Sequence, residues 1–356
     1  MSIEAADRQS PLASVSFASK LESEENMLKG LFILDTKAYR KIYGLEERAE
    51  IEKLVDIYCP QQTAESIRTK LSMLAEAQVI FSGWGAPVMD EKFLAAAPNL
   101  KAVFYGAGTI RGFVTDQFWR RAIVVTAAAA ANAVPVSEYT LSVILLSLKR
   151  FWAHASAVRA AAGFPKPLPV PGAYQATIGL VSLGLIGRLV RDRLLPFDLR
   201  VVAYDPLIAV EEAKRLRVDL LPLEELFRTA DVISLHAPWL PATEGMITGS
   251  LIAAMKQNAT IINTSRGAIV RESEMIEVLK KRDDLYAVLD VTDPEPPLPD
   301  SPLYRLPNVV LTPHIAGSMD AECRRMGRLM VEELRRYVAG DPLEWAITQE
   351  RAAVMA

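Results

Sequence analysis

Short, continuously apolar runs recur along this chain, separated by amphipathic stretches. The first series is GLFILD (30–35), VDIYCP (55–60), QVIFSG (78–83), KAVFYG (101–106) and AIVVTA (122–127), with helical patterns such as 64–77 and 90–96 between them. An apolar run without polar alternation is a strand buried on both faces. Strand, helix, strand in that order gives a parallel sheet with helices covering it. A second series begins at TIGLVS (177–182) and continues through VVAYD (201–205), DVISLH (231–236), TIINTS (260–265), LYAVLD (285–290) and NVVLTP (308–313). Between the two series lie an apolar segment, 136–151, read as a helix starting after Pro135 with Glu138 in its first turn, and a breaker-rich stretch holding Pro165, Pro167, Pro169, Pro171 and Gly172. The latter reads as an extended connector. A last amphipathic helix is expected over 320–339. The fold class is therefore α/β, with two parallel-sheet units.

Length agrees: 356 residues suggest two domains at roughly 150 residues each. Apolar residues make up 51% and charged residues 23%, which rules out disorder over the whole chain. Residues 1–26, polar and small, read as a flexible tail. A net charge of −3 argues against a nucleic-acid partner bound through a basic face. Cys59 and Cys323 form neither a CxxC pair nor a zinc spacing, so no disulfide or metal site is expected, and a cytoplasmic location fits. No secretory signal is evident. The richest apolar stretch, 122–147, is interrupted by Asn132, Pro135, Ser137 and Glu138, so no membrane partner is expected.

Chemistry concentrates in the second unit. Residues 182–187 read Ser-Leu-Gly-Leu-Ile-Gly between an apolar run and a helical pattern at 185–195. This is a G-x-G-x-x-G fingerprint with serine in the first glycine position. Gly184 would admit a pyrophosphate close to the backbone, Gly187 would let helix and strand pack closely, and the helix N-terminus would receive the phosphates. Asp205 ends the next strand, where an acid meets a ribose diol. No Arg or Lys lies within 206–210, so NAD is favoured over NADP. Other strand ends carry His236, Arg266, Asp290 and His314, with Glu295 held between Pro294 and Pro296. Ligands of open α/β sheets sit at such ends. The third histidine, His154, has no evident partner and reads as a surface or interface imidazole.

These segments resemble the D-isomer-specific 2-hydroxyacid dehydrogenases, the family of D-3-phosphoglycerate dehydrogenase and glyoxylate/hydroxypyruvate reductase. The resemblance rests on Asp-Val-Ile-Ser-Leu-His-Ala-Pro (231–238) with Thr243, Asn-Thr-Ser-Arg-Gly (263–267), Leu-Asp-Val-x-x-x-Glu-Pro (289–296) and Thr-Pro-His-Ile-Ala-Gly (312–317). It implies two Rossmann-like, doubly wound domains. One is a flavodoxin-like substrate domain over 27–138 and 316–356, the other an NAD-binding domain over 139–315, with the cleft between them. It implies homodimers through the NAD-binding domain, to which 136–151 and 164–172 look suited. Because the chain ends soon after His314, the C-terminal regulatory domain of some phosphoglycerate dehydrogenases is not expected.

The resemblance also implies roles. Arg266 would clamp a 2-ketoacid carboxylate through its planar fork. His314 would be general acid in reduction and base in oxidation, with Glu295 orienting it and favouring its protonated form. Asp290 would hold the nicotinamide end, and Leu185 and Ile186 would offer backbone N–H groups to the pyrophosphate. His236, Pro238, Thr243, Thr264, Ser265 and Gly317 would line the cofactor, with Arg266 and His314 beside it. Ala107 and Gly108, in Gly-Ala-Gly (106–108), would meet the substrate. Where the family carries Asp after this loop the chain has Ile110, followed by Arg111. Trp84 is a further candidate pocket wall. Glu295 speaks against formate dehydrogenase, which has Gln there. The fingerprint, with about 175 residues ahead of it, speaks against the L-lactate/malate dehydrogenases. A phosphite-oxidising relative and an NAD-sensing corepressor-like protein remain as alternatives.

Overall fold

The computed structural model describes residues 27–355, so the tail expected over 1–26 lies outside the described chain. The described chain forms two compact units, one of residues up to Ala127 with Gly327–Ile347, the other of Ala128–Met326 with the segment from Thr348.

The first unit holds strands β1 (Leu28–Ile33), β2 (Val55–Ile57), β3 (Val79–Ser82), β4 (Ala102–Tyr105) and β5 (Val124–Ala127), all parallel, in the order β2-β1-β3-β4-β5. β3 and β4 are buried at every residue, as their unbroken apolar sequences require. The rings of Phe32, Phe81 and Phe104 pack in series at 5.1 and 5.4 Å, and the buried Tyr43 hydroxyl donates to the Ser82 carbonyl (2.9 Å). The C-terminal segment completes this core. A Cβ at Gly327 would lie 2.0 Å from the Ile42 carbonyl oxygen, so only glycine lets that helix approach. Met330 and Leu334 of the same helix are fully buried. Beyond it, Ala346 bridges Thr126.

The second unit holds β6 (Tyr174–Val181), β7 (Asp198–Tyr204), β8 (Asp219–Leu220), β9 (Val232–Leu235), β10 (Thr260–Asn263), β11 (Tyr286–Leu289) and β12 (Val309–Leu311). They form a parallel sheet ordered β12-β11-β10-β9-β6-β7-β8. Successive residues alternate between two apolar clusters, Ile261 and Ala287 in one, Ile262 and Val288 in the other, as a sheet covered on both faces demands. The chain order reverses between β6 and β9, which makes their C-terminal ends the topological switch point of this sheet.

The connecting segment differs from the sequence expectation. The helix runs Ala129–Leu148 and passes through Pro135 instead of starting after it. Alanines at 129–131 and 133 have the highest helix propensity and carry the chain into the helix before the proline, whose fixed φ is itself helical. Glu138 therefore lies outside the first turn, and its carboxylate accepts from Arg193 (3.0 Å). A second helix, Phe151–Ala161, follows Arg150, which sits in the left-handed region at φ 48°. The second unit begins at Ala128, where the sequence places 139, and runs to Met326, where the sequence places 315; Val143, Ile144 and Leu148 of the helix share an apolar cluster with Ile178 and Ile262 of its sheet. By length and composition this helix could cross a membrane. Here Thr140 on it meets Thr264 (Oγ1–Oγ1, 3.2 Å). The last long helix is Cys323–Ala339, entered through a 3₁₀ turn at Asp320–Glu322.

Candidate active site

Register fixes the site. Tyr204, Val181, Leu235, Asn263, Leu289 and Leu311 are paired side by side across six strands. The residue after each is Asp205, Ser182, His236, Thr264, Asp290 and Thr312. One row of strand ends thus carries Asp205, His236, Thr264 and Asp290, and the other residues that the sequence singled out in this unit follow in the loops just beyond it.

His314 lies two residues past Thr312. Its Nδ1 is 2.7 Å from Glu295 Oε1, and both side chains are about half exposed. A carboxylate can only accept, so Nδ1 carries the hydrogen and Nε2 is left for exchange with a substrate. The backbone of His314 is left-handed (φ 54°), a conformation that costs energy for a non-glycine residue and needs support. Asp290 supplies it. Its Oδ1 accepts from Thr312 Oγ1 (2.6 Å) and Ile315 N (2.8 Å), its Oδ2 accepts from Ala316 N (2.8 Å), and its carbonyl accepts from His314 N (3.0 Å). Tyr139 reaches Thr312 from helix Ala129–Leu148 (3.0 Å).

Arg266 is placed by an asparagine-centred turn. Asn263 Oδ1 accepts from Ser265 N and Oγ (3.0 and 2.8 Å), and its Nδ2 donates to the Arg266 carbonyl (2.9 Å). The guanidinium donates one N–H to the Ser265 carbonyl (2.6 Å), which fixes the plane of the fork. Burial lowers the Arg266 pKa, and the nearby negative charge of Glu295 raises it. Gly267 permits this proximity: a Cβ there would lie 2.0 Å from the Thr292 carbonyl carbon, inside the segment that leads to Glu295.

The fingerprint loop lies at the switch point. Gly184 caps the helix Leu185–Leu194 with no side-chain hydrogen bond, so Leu185 and Ile186 lie in an uncapped first turn suited to phosphate. A Cβ on Gly187 would lie 2.2 Å from the Ser182 carbonyl oxygen and 3.7 Å from His236 Cδ2. His236 is buried, and both its ring nitrogens are without a hydrogen-bond partner. Burial drives its pKa down to about 3. Pro238 and Thr243 belong to a turn closed by the Thr243 hydroxyl, which accepts from Leu240 N (2.9 Å) and donates to the Pro238 carbonyl. Gly317 and Ser318 are held by Asn132, whose Oδ1 accepts from Ser318 N (2.9 Å).

Ala107 and Gly108 lie in the first unit, in the loop after β4. The Ala107 amide is spent on the Tyr105 carbonyl (2.8 Å). Ile110, standing where the family carries Asp, is buried and turns its side chain into that unit's core. Trp84 follows β3, and its carbonyl accepts from Asp35 N (2.9 Å). His154 is fully occupied: Nδ1 faces the Arg150 carbonyl (3.0 Å) and Nε2 accepts from Leu168 N (3.0 Å), tying the proline-rich arm to helix Phe151–Ala161. Among the described residues no group of three or more His, Cys, Asp or Glu is placed to hold a metal.

Residues 141–316 match the family described as D-isomer specific 2-hydroxyacid dehydrogenase, NAD binding domain. A glyoxylate reductase of Korarchaeum cryptofilum is 30% identical over 315 residues, 87% of this chain and 93% of that protein. The chain belongs to the D-isomer-specific 2-hydroxyacid dehydrogenase family. A D-3-phosphoglycerate dehydrogenase of Mycobacterium leprae is 31% identical over 81% of this chain but only 54% of its own length. The chain thus spans about half the length of that relative. Among solved structures, the TT0316 protein of Thermus thermophilus superposes with a TM-score of 0.71 at 28% identity, covering 90% of this chain and 100% of that one.

In this dehydrogenase-family chain, two residues that brace His314 carried no separate assignment in the sequence. Thr312 stood inside the quoted Thr-Pro-His motif, but its bond to Asp290 needs the β11–β12 register. Tyr139 had no signal at all.

Proposed function

We propose that the chain is an NAD-dependent 2-hydroxyacid dehydrogenase that reduces a 2-ketoacid to the D-2-hydroxyacid, and runs the reverse oxidation. The observation that carries this is the 2.7 Å contact between His314 Nδ1 and Glu295, with a half-buried Arg266 held at a strand end of the same sheet. A proton-exchanging nitrogen and an anion-binding fork beside each other suit a carbonyl flanked by a carboxylate.

The residues fit a dinucleotide. Gly187 leaves a cradle that a Cβ would fill, the first turn of helix Leu185–Leu194 is uncapped, and His236 presents unpartnered nitrogens beside that loop. Leu185 and Ile186 would meet the pyrophosphate, Asp205 the ribose, and Asp290, Thr264 and Ser265 the nicotinamide end. A bound nicotinamide would supply the hydride to C2 in reduction and receive it in oxidation. Asp205, with no Arg or Lys in 206–210 to meet a 2′-phosphate, favours NAD over NADP. Arg266 pairs with the substrate carboxylate and sets the position of C2. His314 delivers the Nε2 proton to the carbonyl oxygen as it becomes an alkoxide. Glu295 holds the ring through Nδ1 and balances the imidazolium when the reaction runs backward. Ala107 and Gly108 are assigned to the substrate side, with Gly108 the better candidate because the Ala107 amide is already bonded.

The test is oxidation of NADH at 340 nm with glyoxylate, hydroxypyruvate, pyruvate, phenylpyruvate and 2-oxoglutarate. His314→Ala should lose at least about 100-fold in kcat. Arg266→Lys should raise KM for the ketoacid far more than it lowers kcat, because a point charge replaces a fork. Turnover that survives His314→Ala would refute the assignment. We further propose a homodimer through the second unit, whose Phe151, Phe164 and Tyr174 are exposed. A monomeric mass in light scattering would refute it.

A further inference from the structure

Asp205 is the acid expected to meet the adenosine ribose, yet most of its capacity is already in use. A carboxylate offers about four acceptor positions. Oδ2 accepts from Leu183 N (2.7 Å) and Ser182 Oγ (3.4 Å), and Oδ1 accepts from Leu207 N (2.9 Å). One position is left, and a ribose diol brings two donors.

Ser182 cannot turn away by moving its backbone. Its N–H donates to the Tyr204 carbonyl (2.8 Å), and its own carbonyl oxygen lies where a Cβ on Gly187 would be, 2.2 Å off. Held from both sides, it stays in the left-handed region at φ 79°, where glycine is favoured. From this fixed backbone the hydroxyl reaches Asp205 Oδ2.

We infer that Ser182 is a specificity-determining residue for the dinucleotide: its hydroxyl occupies an acceptor position on Asp205 that the diol of NAD needs and a 2′-phosphate does not. The inference rests on the dinucleotide reading above. An ionised 2′-phosphate has no hydrogen to donate, so it gains nothing when the position is vacated. NAD gains one hydrogen bond. At 3.4 Å the serine bond is long and displaced at modest cost, so the effect is moderate. Serine at 182 therefore weakens NADH selectively and narrows the margin between NADH and NADPH.

Dissociation constants for NADH and NADPH, measured by fluorescence titration on the full chain, test this with two variants. Ser182→Gly vacates the position and relieves the left-handed strain. Ser182→Ala vacates it and keeps the strain. Both should tighten NADH by about threefold to tenfold with NADPH unchanged, and only Ser182→Gly should raise Tm. An unchanged ratio of the two constants in both variants, or equal movement of both cofactors, would overturn the inference. Wild-type protein that binds neither nucleotide would instead overturn the dinucleotide reading itself, and this inference with it.

Discussion

Burial lowers the His236 pKa to about 3, so the ring is neutral in the folded chain near pH 7. In the unfolded chain it titrates near 6.5. The unfolded state therefore binds the extra proton first on acidification. The stability tied to this group is complete above pH 6.5 and is lost as pH falls from there toward 3. At up to about 1.4 kcal/mol per pH unit, the loss reaches about 4 kcal/mol. His236→Gln removes the titrating ring, so its plot of Tm against pH should be flatter than wild type between pH 6.5 and 3.5. Parallel curves would mean that the ring is not buried in solution. The His314–Glu295 contact was legible because a histidine at a strand end and a glutamate held between two prolines both stood out in the sequence. The state of His236, and the near-saturation of Asp205, were not. Both depend on counting partners in space: a sequence shows an acid at a strand end but not how many N–H groups surround it.

At the scale of elements, the site follows from register. The row from Tyr204 to Leu311 puts the ends of six neighbouring strands level, so the candidate residues all fall within the next one to eight residues of each loop. Those strands could be read from apolar runs, and so could their parallel direction. Helix boundaries could not. Pro135 looked like a start signal, whereas the preceding alanines carry the helix to Ala129. Helix Phe151–Ala161, with no buried residue, lacked an apolar stripe to reveal it. Register also explains why Thr312 matters: it ties the β12 end to Asp290 on β11, and Asp290 in turn supports the left-handed turn at His314. Thr312→Val should destabilise the chain by about 1–3 kcal/mol through the lost bond to a buried carboxyl. It should also lower kcat with little change in ketoacid KM, since Arg266 is held by a different strand. Thr312→Ser should restore kcat. A valine variant with full kcat would remove Thr312 from the support of His314.

At the scale of the whole molecule, the two units are unequal in how the chain builds them. The second is nearly continuous, from Ala128 to Met326, and its added segment from Thr348 buries no side chain of the helix Gln349–Val354. The first needs two separated stretches. Residues 128–326 expressed alone should therefore melt cooperatively and retain native circular dichroism, whereas residues 27–127 alone should lack a cooperative transition. They are missing Met330 and Leu334 from their core and the Thr126–Ala346 bridge. A cooperative melt of 27–127 would contradict this division of labour.

The same connectivity has a consequence for biosynthesis. The five-stranded sheet leaves the ribosome complete in its strands at Ala127, yet Gly327, the first residue of the helix segment that closes it, is synthesised 200 residues later. At about 5–20 residues per second that interval is roughly 10–40 s. Throughout it, the apolar face meant for Met330 and Leu334 has no cover, while most of the second unit emerges. The nascent chain is thus exposed to aggregation through its N-terminal third, and chaperone engagement should fall sharply once residues 327–347 are free of the ribosome.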